Sequence, residues 1–296
     1  MRDFAPIVLF TYNRPLHTRQ TIEALQNNKL AILSDLIIYS DAPKDSTQSD
    51  QVNKVREYLK NVSGFKSIKI IEKKENCGLA NSIINGVTDV VNQYGKVIVL
   101  EDDMITSPFF LNYMNDALEK YERIEKVFGI TGFAYPINNK NLMDAYFMKD
   151  EGCWGWGTWK RAWSFFNKDT EMLISKFTPS MIREFNFDNT TNFWKQVLLN
   201  RNGEINTWAI YWYATIFLND ALFLHPKETF IKNIGHDGSG VHGDNTKEFN
   251  SPLLQDYNIN FPDIIEISHQ ARNEHKKYYQ SKNRFITKLK NKLGFY

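Results

Sequence analysis

Four short apolar runs alternate with three segments of helical periodicity near the start of the chain. The runs are residues 7–10, 36–39, 68–71 and 97–100, and the helical segments are residues 16–25, 49–59 and 79–94. Strands that alternate with helices are typical of a parallel sheet, because each crossover helix packs back onto one face of that sheet. The sequence therefore predicts an α/β chain of Rossmann-like architecture, with a mostly parallel central sheet and helices on both faces.

Three consecutive carboxylates, Glu101, Asp102 and Asp103, follow the fourth apolar run without a spacer. Burying an unpaired acid is strongly unfavourable, so the three should lie at the mouth of the strand and need a counter-charge. A divalent cation, Mn²⁺ or Mg²⁺, meets that need. Open α/β folds bind ligands at the carboxyl ends of their strands. We therefore expect the triplet to share one edge with the polar residues that follow the other strands, which are Asn13, Asp41 and Asn76.

Composition and motifs exclude several classes of protein. Two cysteines, Cys77 and Cys153, provide no disulfide framework and favour a reducing compartment. No run approaches the roughly 18 apolar residues of a membrane-spanning helix, and Thr11 interrupts the first apolar run too early for a signal peptide. Neither a dinucleotide-binding glycine fingerprint nor a Walker A loop follows the first strand. We expect a cytoplasmic protein that is not integral to a membrane.

Glycine and tryptophan dominate the chain after residue 150. Trp154, Trp156 and Trp159 belong to a Gly-Trp-Gly segment, and they could stack on a sugar ring or fill a core. A helical, aromatic stretch is predicted from residue 194 to residue 217, and residues 233–242 form a glycine-rich loop. With no internal repeat and no low-complexity linker, the sequence favours one domain over residues 1–245. Its first half ends at residue 103, and the second half covers residues 104–245.

The C-terminal segment, residues 246–296, is predicted to be an arm followed by a basic tail. From Arg272 onward the chain has eight lysine or arginine residues and one glutamate, and Phe285, Leu289 and Leu293 share one helical face. A basic helix with an apolar face suits an anionic membrane surface, so we expect peripheral association with the inner face of the cytoplasmic membrane. The alternatives are a helix packed on its own domain or a disordered end. Because the remaining chain is not basic, we expect no affinity for nucleic acid.

The motifs in combination resemble a glycosyltransferase of the GT-A fold. The segment from Thr11 to Pro15, Asp41, the turn at residues 76–81 and the Val-Leu-Glu-Asp-Asp run are similar to bacterial family 2-like sugar transferases. The Glu-Asp-Asp form of the acidic motif is similar to that of the N-acetylglucosaminyltransferase I family. The resemblance covers roughly residues 5–243 and implies a nucleotide-binding half followed by an acceptor-binding half.

The resemblance also implies an activity, which is metal-dependent, inverting transfer of a sugar from a nucleotide-sugar donor. The expected nucleotide is UDP, as in UDP-N-acetylglucosamine or a UDP-hexose. The expected acceptor is a hydroxyl of a glycan or of a lipid-linked acceptor, in the synthesis of bacterial capsule, lipopolysaccharide or glycolipid.

Site residues are carried over by the same resemblance. Asp103 would hold the metal ion, and His242 in the glycine-rich loop would contact the metal ion or the diphosphate. Asp41 would meet the base. Sugar or acceptor contacts would come from Trp154, Trp156 and Trp159. The complete set of expected donor-binding residues is Thr11, Tyr12, Asn13, Arg14, Asp41, Asn76, Gly78, Glu101 and Asp102.

The general base for the acceptor hydroxyl is expected just ahead of Trp208, where this sequence has Asn206. An amide cannot accept that proton. Glu204 and Asp237 are the substitutes, equally favoured. Asn206 also keeps open a non-catalytic relative that only binds sugar nucleotides. A nucleotidyltransferase is the other alternative, although such enzymes carry a glycine-rich basic loop that is missing after the first strand.

Overall fold

Ten strands and ten helices make up the part of the chain that the structure describes. The structure, a computed structural model, describes residues 3–238, 249 and 251–293, with side chains as far as residue 283. The strands are β1 (Ile7–Thr11), β2 (Asp35–Ser40), β3 (Ser67–Glu72), β4 (Lys96–Glu101), β5 (Met104–Thr106), β6 (Val127–Thr131), β7 (Ala145–Met148), β8 (Trp156–Trp159), β9 (Leu222–Pro226) and β10 (Ile231–Asn233). The helices are α1 (Pro15–Gln26), α2 (Ser49–Leu59), α3 (Leu79–Tyr94), α4 (Phe110–Lys120), α5 (Lys160–Trp163), α6 (Thr170–Lys176), α7 (Pro179–Phe185), α8 (Trp194–Arg201), α9 (Ala209–Leu218) and α10 (His269–Leu293).

Eight of the strands form one sheet, in the order β3-β2-β1-β4-β8-β6-β9-β7. The first four strands of the chain run parallel, with Ile7 opposite Leu36 on one side and Ile98 on the other. β6 and β9 also pair in parallel, whereas β7 and β8 pair antiparallel with their neighbours. The mostly parallel α/β sheet predicted from the sequence is therefore confirmed, and each predicted strand lies within an observed one.

Successive side chains along each strand point to opposite faces of the sheet, so the core has two layers. In β1, Ile7 and Leu9 join a cluster that includes residues of α1, α2 and α4. Val8 and Phe10 point the other way, into a cluster with α3, α5 and α9. Since successive side chains of a strand alternate between faces, one short apolar run supplies both layers. Helices cover both faces, as predicted.

The second half differs from the sequence prediction at its long aromatic helix. The stretch predicted from residue 194 to residue 217 is two helices, α8 and α9, separated by a turn in which Gly203 has a φ of +72°. Glycine adopts this left-handed conformation without steric cost and ends the first helix. The two helices contribute to a third apolar cluster, which contains Tyr213 of α9 together with Phe177 and Phe185.

The arm and the start of α10 pack against the body of the protein. Tyr121 donates a hydrogen bond from its hydroxyl to the Pro262 carbonyl at 2.7 Å. On α10, Ala271 and His275 are fully buried, and Lys276 forms an ion pair with Asp188 at 2.9 Å. The described part of α10 thus fits the alternative of a helix packed on its own domain. The apolar face predicted from Phe285 to Leu293 lies outside the described side chains.

No helix within the described ranges is both long enough and apolar enough to span a membrane.

Candidate active site

The carboxyl ends of the parallel strands meet at one edge of the sheet. Asp41, directly after β2, accepts hydrogen bonds from the backbone N–H groups of Cys77 at 2.9 Å and Gly78 at 3.0 Å. In the same turn, the Asn76 side chain donates to the Ala42 carbonyl at 2.6 Å. Arg56 of α2 donates to the carbonyl of Asp41 at 3.3 Å and of Lys73 at 2.8 Å. Asp41, Asn76 and Gly78 therefore form one rigid corner.

The acidic triplet lies at the same edge, where Arg14 bridges two of its members. Nη2 of Arg14 donates to the Asp102 carboxylate and, at 2.8 Å, to Oδ2 of Asp103. The backbone N–H of Tyr12 also donates to the Asp102 carboxylate, at 3.3 Å, and Thr21 of α1 donates to its carbonyl at 2.9 Å. Asp102 thus ties the loop after β1 to the end of β4. The strand ends predicted to align are in contact.

Charge in the triplet is only partly compensated. Burial, followed by repulsion from Asp103 and Asp102, raises the pKa of Glu101. Burial also raises the pKa of Asp102, against the opposing effect of Arg14. Burial disfavours the charged form of Arg14, but the two aspartates outweigh it and raise its pKa further. One guanidinium therefore leaves the cluster short of positive charge, which favours binding of a further cation.

One oxygen atom of Asp103 is suited to bind a metal ion. Its Oδ1 atom is buried and has no hydrogen-bond partner among the described residues. No group of three or more His, Cys, Asp or Glu side chains in the described ranges could hold a metal ion unaided. Magnesium-type sites commonly use one or two protein carboxylates and complete the shell with substrate phosphates and water. The single free carboxylate oxygen fits that kind of site.

Gly235 forms the wall opposite Asp103 and was not anticipated from the sequence. A Cβ atom at this position would lie 2.2 Å from Oδ2 of Asp103 and 3.1 Å from Nη1 of Arg14. The neighbouring Ile234 N–H donates to the Asp103 carbonyl at 2.9 Å. The chain after β10 therefore runs directly against the triplet. The only sequence signal was the glycine-rich composition of this loop.

The other residues of the loop after β1 differ in exposure. Thr11 is buried, and its hydroxyl donates to the Tyr39 carbonyl at 3.4 Å, so it holds β1 to β2. Tyr12, Asn13 and Arg14 are partly exposed beside the triplet. The Tyr12 hydroxyl accepts from the Lys44 N–H at 2.9 Å, which connects this loop to the one after β2. The loop therefore has an ordered surface next to Asp102.

Two of the three tryptophans predicted to bind sugar have a structural role instead. Trp156 and Trp159 are 1% and 2% exposed. Trp156 stacks on Trp208 with ring centroids 5.1 Å apart, and the Trp159 indole donates to the Leu118 carbonyl at 3.1 Å. Neither has a free ring face, so the prediction for these two residues is wrong. Both lie in β8, in the middle of the sheet, where side chains of each face are covered.

Trp154, which precedes β8, is only partly buried and lies near the triplet. Its ring centroid is 5.3 Å from that of His236, the residue after Gly235. Phe133 and Phe249 contact its other sides, with centroid distances of 4.5 and 4.9 Å. Its prediction as a sugar contact stays a prediction.

The residues considered for the general base are widely separated. Glu204 lies on an exposed turn after α8 and accepts a hydrogen bond from Asn202 at 2.9 Å. Asn206 is exposed too and accepts from Lys168. A carboxylate oxygen of Asp237 lies 3.1 Å from Nε2 of His17 on α1. His242 lies outside the described residues.

Comparison with known proteins places the chain in a family. The model of glycosyl transferase family 2 matches residues 7–194, which is more than half of the chain. The chain belongs to glycosyl transferase family 2. The matched segment contains β1, β4 and the acidic triplet that follows it. No curated protein matches the chain in sequence.

Solved structures show remote similarity. The chain is 10% identical to the S. aureus TarS structure of residues 1–349, with a TM-score of 0.43, and the alignment covers 77% of this chain and 60% of that one. It spans 36% of a longer TarS structure. The mannosyltransferase PcManGT from Pyrobaculum calidifontis, solved with GDP-Man and Mn²⁺, is also 10% identical, with a TM-score of 0.39 and coverage of 74% and 72%.

Proposed function

We propose that this protein transfers a sugar, with inversion, from a nucleotide-sugar donor to a hydroxyl of a glycan or a lipid-linked acceptor. The observation that carries the proposal is the acidic triplet at the end of β4, where Oδ1 of Asp103 is buried without a partner among the residues that the structure describes. Membership of glycosyl transferase family 2 supports sugar transfer as the reaction class. By resemblance, the process is synthesis of a bacterial surface polysaccharide.

Donor binding is assigned to the corner formed by the strand ends. Asp41 would accept a hydrogen bond from the base, since two backbone N–H groups already fix its carboxylate at 2.9 and 3.0 Å. An imide N–H of uracil offers the matching donor, which favours UDP. Tyr12, Asn13 and Arg14 would line the nucleotide, and Asp102 holds this loop through the Tyr12 N–H. Glu101 would face the donor sugar.

Asp103 would hold the metal ion, either Mn²⁺ or Mg²⁺, through its free Oδ1 atom. When bound, the ion would neutralise negative charge that grows on the departing diphosphate. The guanidinium of Arg14 pairs with both Asp102 and Asp103 and so keeps the two carboxylates in place. His242 is a second candidate for contact with the diphosphate.

Acceptor binding is assigned to the second half, with Trp154 as the aromatic contact. Its ring centroid lies 5.3 Å from that of His236, which follows the Gly235 that faces the triplet. The basic residues of α10 would bring the protein to an anionic membrane surface that carries a lipid-linked acceptor. The start of this helix packs on the body of the protein, so membrane binding would depend on the residues after 283.

Nucleotide binding tests the donor site. We expect Asp103→Asn to lower the affinity for UDP in the presence of MnCl₂ by at least about tenfold, since a charged hydrogen bond or metal ligand contributes more than 1.4 kcal/mol. Isothermal titration calorimetry with UDP and with GDP, each with and without MnCl₂, measures this. The matched control is Asp50→Asn, because Asp50 is an exposed residue of α2 that pairs with Lys54 on the same helix.

Equal UDP affinity of the Asp103→Asn and wild-type proteins would contradict the metal assignment. Catalysis is then measured as release of UDP or GDP from a panel of nucleotide sugars with MnCl₂. Binding without any release would favour the non-catalytic relative suggested by Asn206.

A further inference from the structure

Arg14 is held at the acidic triplet by its backbone as well as by its side chain. It directly precedes α1, and Pro15 is the first residue of that helix. The Arg14 carbonyl accepts hydrogen bonds from the backbone N–H and from the hydroxyl of Thr18, each at 2.9 Å. Thr21 of the same helix donates to the Asp102 carbonyl at 2.9 Å. The start of α1, Arg14 and the triplet are therefore fixed relative to one another.

The guanidinium of Arg14 is enclosed between the triplet and the chain after β10. Its Nη2 atom makes both carboxylate contacts, to Asp102 and, at 2.8 Å, to Oδ2 of Asp103. On another side, a Cβ atom on Gly235 would lie 3.1 Å from Nη1. Only 19% of the Arg14 side chain is exposed. Its positive charge is thus held against the carboxylate that is proposed to bind the metal ion.

The two carboxylate oxygens of Asp103 have different surroundings. Oδ2 accepts the hydrogen bond from Arg14, whereas Oδ1 is buried and has no hydrogen-bond partner within the part of the chain that is described. A metal ion on Oδ1 would therefore share one carboxylate with the guanidinium. Like charges so close together repel, and burial reduces the screening by water and salt. Arg14 should therefore lower the affinity of the free protein for a divalent cation.

A bound diphosphate would change this balance. Among the described residues, no group of three or more His, Cys, Asp or Glu side chains could hold a metal ion. Phosphate oxygens commonly complete the coordination shell of such an ion. They also add negative charge, which would offset the charge of the metal ion and that of Arg14 together. The repulsion between the two cations would then cost less than in the free protein.

We propose that Arg14 couples binding of the metal ion to binding of the nucleotide. Its guanidinium opposes a divalent cation in the free protein, and the diphosphate relieves this opposition. The proposal rests on the metal and donor sites proposed above. Metal ion and nucleotide should therefore bind cooperatively, each raising the affinity for the other by the same factor. The ion would enter with the donor and leave with the diphosphate product.

Two measurements test this coupling. Electron paramagnetic resonance of free Mn²⁺ gives the affinity for Mn²⁺ without nucleotide. Calorimetry at several MnCl₂ concentrations, with whichever of UDP and GDP binds more tightly, gives the factor by which Mn²⁺ raises nucleotide affinity. The test variant is Arg14→Gln, which removes the charge but keeps an amide donor for the aspartates.

We expect Arg14→Gln to bind Mn²⁺ alone about tenfold more tightly than the wild-type protein. This is the order expected when a single charge is removed from beside a double charge of the same sign. The factor by which Mn²⁺ raises nucleotide affinity should fall about tenfold as well, because the coupling is reciprocal.

Further variants separate the charge of Arg14 from its shape. Arg14→Lys keeps the positive charge without the planar guanidinium, so its Mn²⁺ affinity should stay within about threefold of the wild-type value. Arg19→Gln is the matched control, since Arg19 is exposed on α1 and pairs with Glu23 at 2.7 Å. It should change neither measurement. If Arg14→Gln does not fold in a thermal melt, Arg14→Met replaces it as a neutral side chain of similar reach.

A neutral Arg14 variant that binds Mn²⁺ alone no more tightly than the wild-type protein would overturn the proposal. An Arg14→Lys protein that behaves like Arg14→Gln would overturn it too, because charge would then not be the cause. If MnCl₂ does not raise the nucleotide affinity of the wild-type protein, the proposed metal site is refuted, and the coupling with it. A rise in the wild-type protein that persists unchanged in Arg14→Gln refutes only the role of Arg14.

Discussion

The folding stability of this protein should fall as the pH drops from 7 to 5, because α10 buries His275. Its ring has no exposed surface, and neither ring nitrogen has a hydrogen-bond partner among the described residues. The ring lies edge-on to Tyr135 and over Phe187, with centroid distances of 5.1 and 6.2 Å. Burial, helped by His225 and opposed by Asp150, lowers the pKa of His275 to about 4.

The sign follows from the two protonation states. Above pH 6.5, the ordinary value for histidine, His275 is neutral in both the folded and the unfolded chain, and its contribution to stability is complete. Below that value the unfolded chain takes up a proton that the folded protein excludes until about pH 4. Stability is therefore lost in this window, at up to about 1.4 kcal/mol per pH unit. Between pH 7 and pH 5 the loss from this residue amounts to about 2 kcal/mol.

Urea unfolding at pH 7, 6 and 5 measures the effect, with His275→Phe as the comparison. Phenylalanine keeps an aromatic ring among Tyr135 and Phe187 but has no proton to bind. The free energy of unfolding of the wild-type protein should fall about 2 kcal/mol further over this range than that of the variant. Parallel pH dependences of the two proteins would refute the burial of a neutral His275 and, with it, the docking of α10.

Two further substitutions probe the site and its support. Gly235→Ala should lower UDP affinity with MnCl₂ in calorimetry by at least about tenfold, because the added methyl group would press on Asp103 and Arg14; unchanged affinity would contradict the close approach. Trp156→Ala should lower the free energy of unfolding by about 3–5 kcal/mol in urea, as for other buried aromatics. Trp154→Ala should have a smaller effect, and the reverse order would contradict the assigned burial.

The first half of the fold could be predicted because local and tertiary signals agree there. The helix predicted over residues 49–59 and the one predicted over residues 79–94 have the same limits as α2 and α3. Their apolar positions repeat every three or four residues, and each lies between two short β-branched runs. Glycine at position 95, with a φ of +79°, ends α3 where the pattern ends. In this half several strand pairs join neighbouring segments of the chain, such as β1 with β2 and β2 with β3.

The second half was harder to predict, since its aromatic residues could either bind sugar or fill the core. Trp154 and Trp156 are two residues apart, yet one is partly exposed near the triplet and the other is buried against Trp208. Pairing of β8 between β4 and β6 decides which of them is covered. That pairing joins segments that are far apart in the chain, so periodicity within the segment does not reveal it.

The same pairing separates the part of the site that the sequence indicated from the part that it did not. The corner that contains Asp41 and the acidic triplet is built from the ends of parallel strands, and a polar residue after each apolar run marks it. The segment before β8 follows no parallel strand, and it reaches this edge of the sheet only because β8 runs antiparallel to β4. Polar residues that follow parallel strands can therefore be predicted to meet, as Arg14 meets Asp102 and Asp103, whereas the position of Trp154 depends on a pairing that the sequence does not reveal.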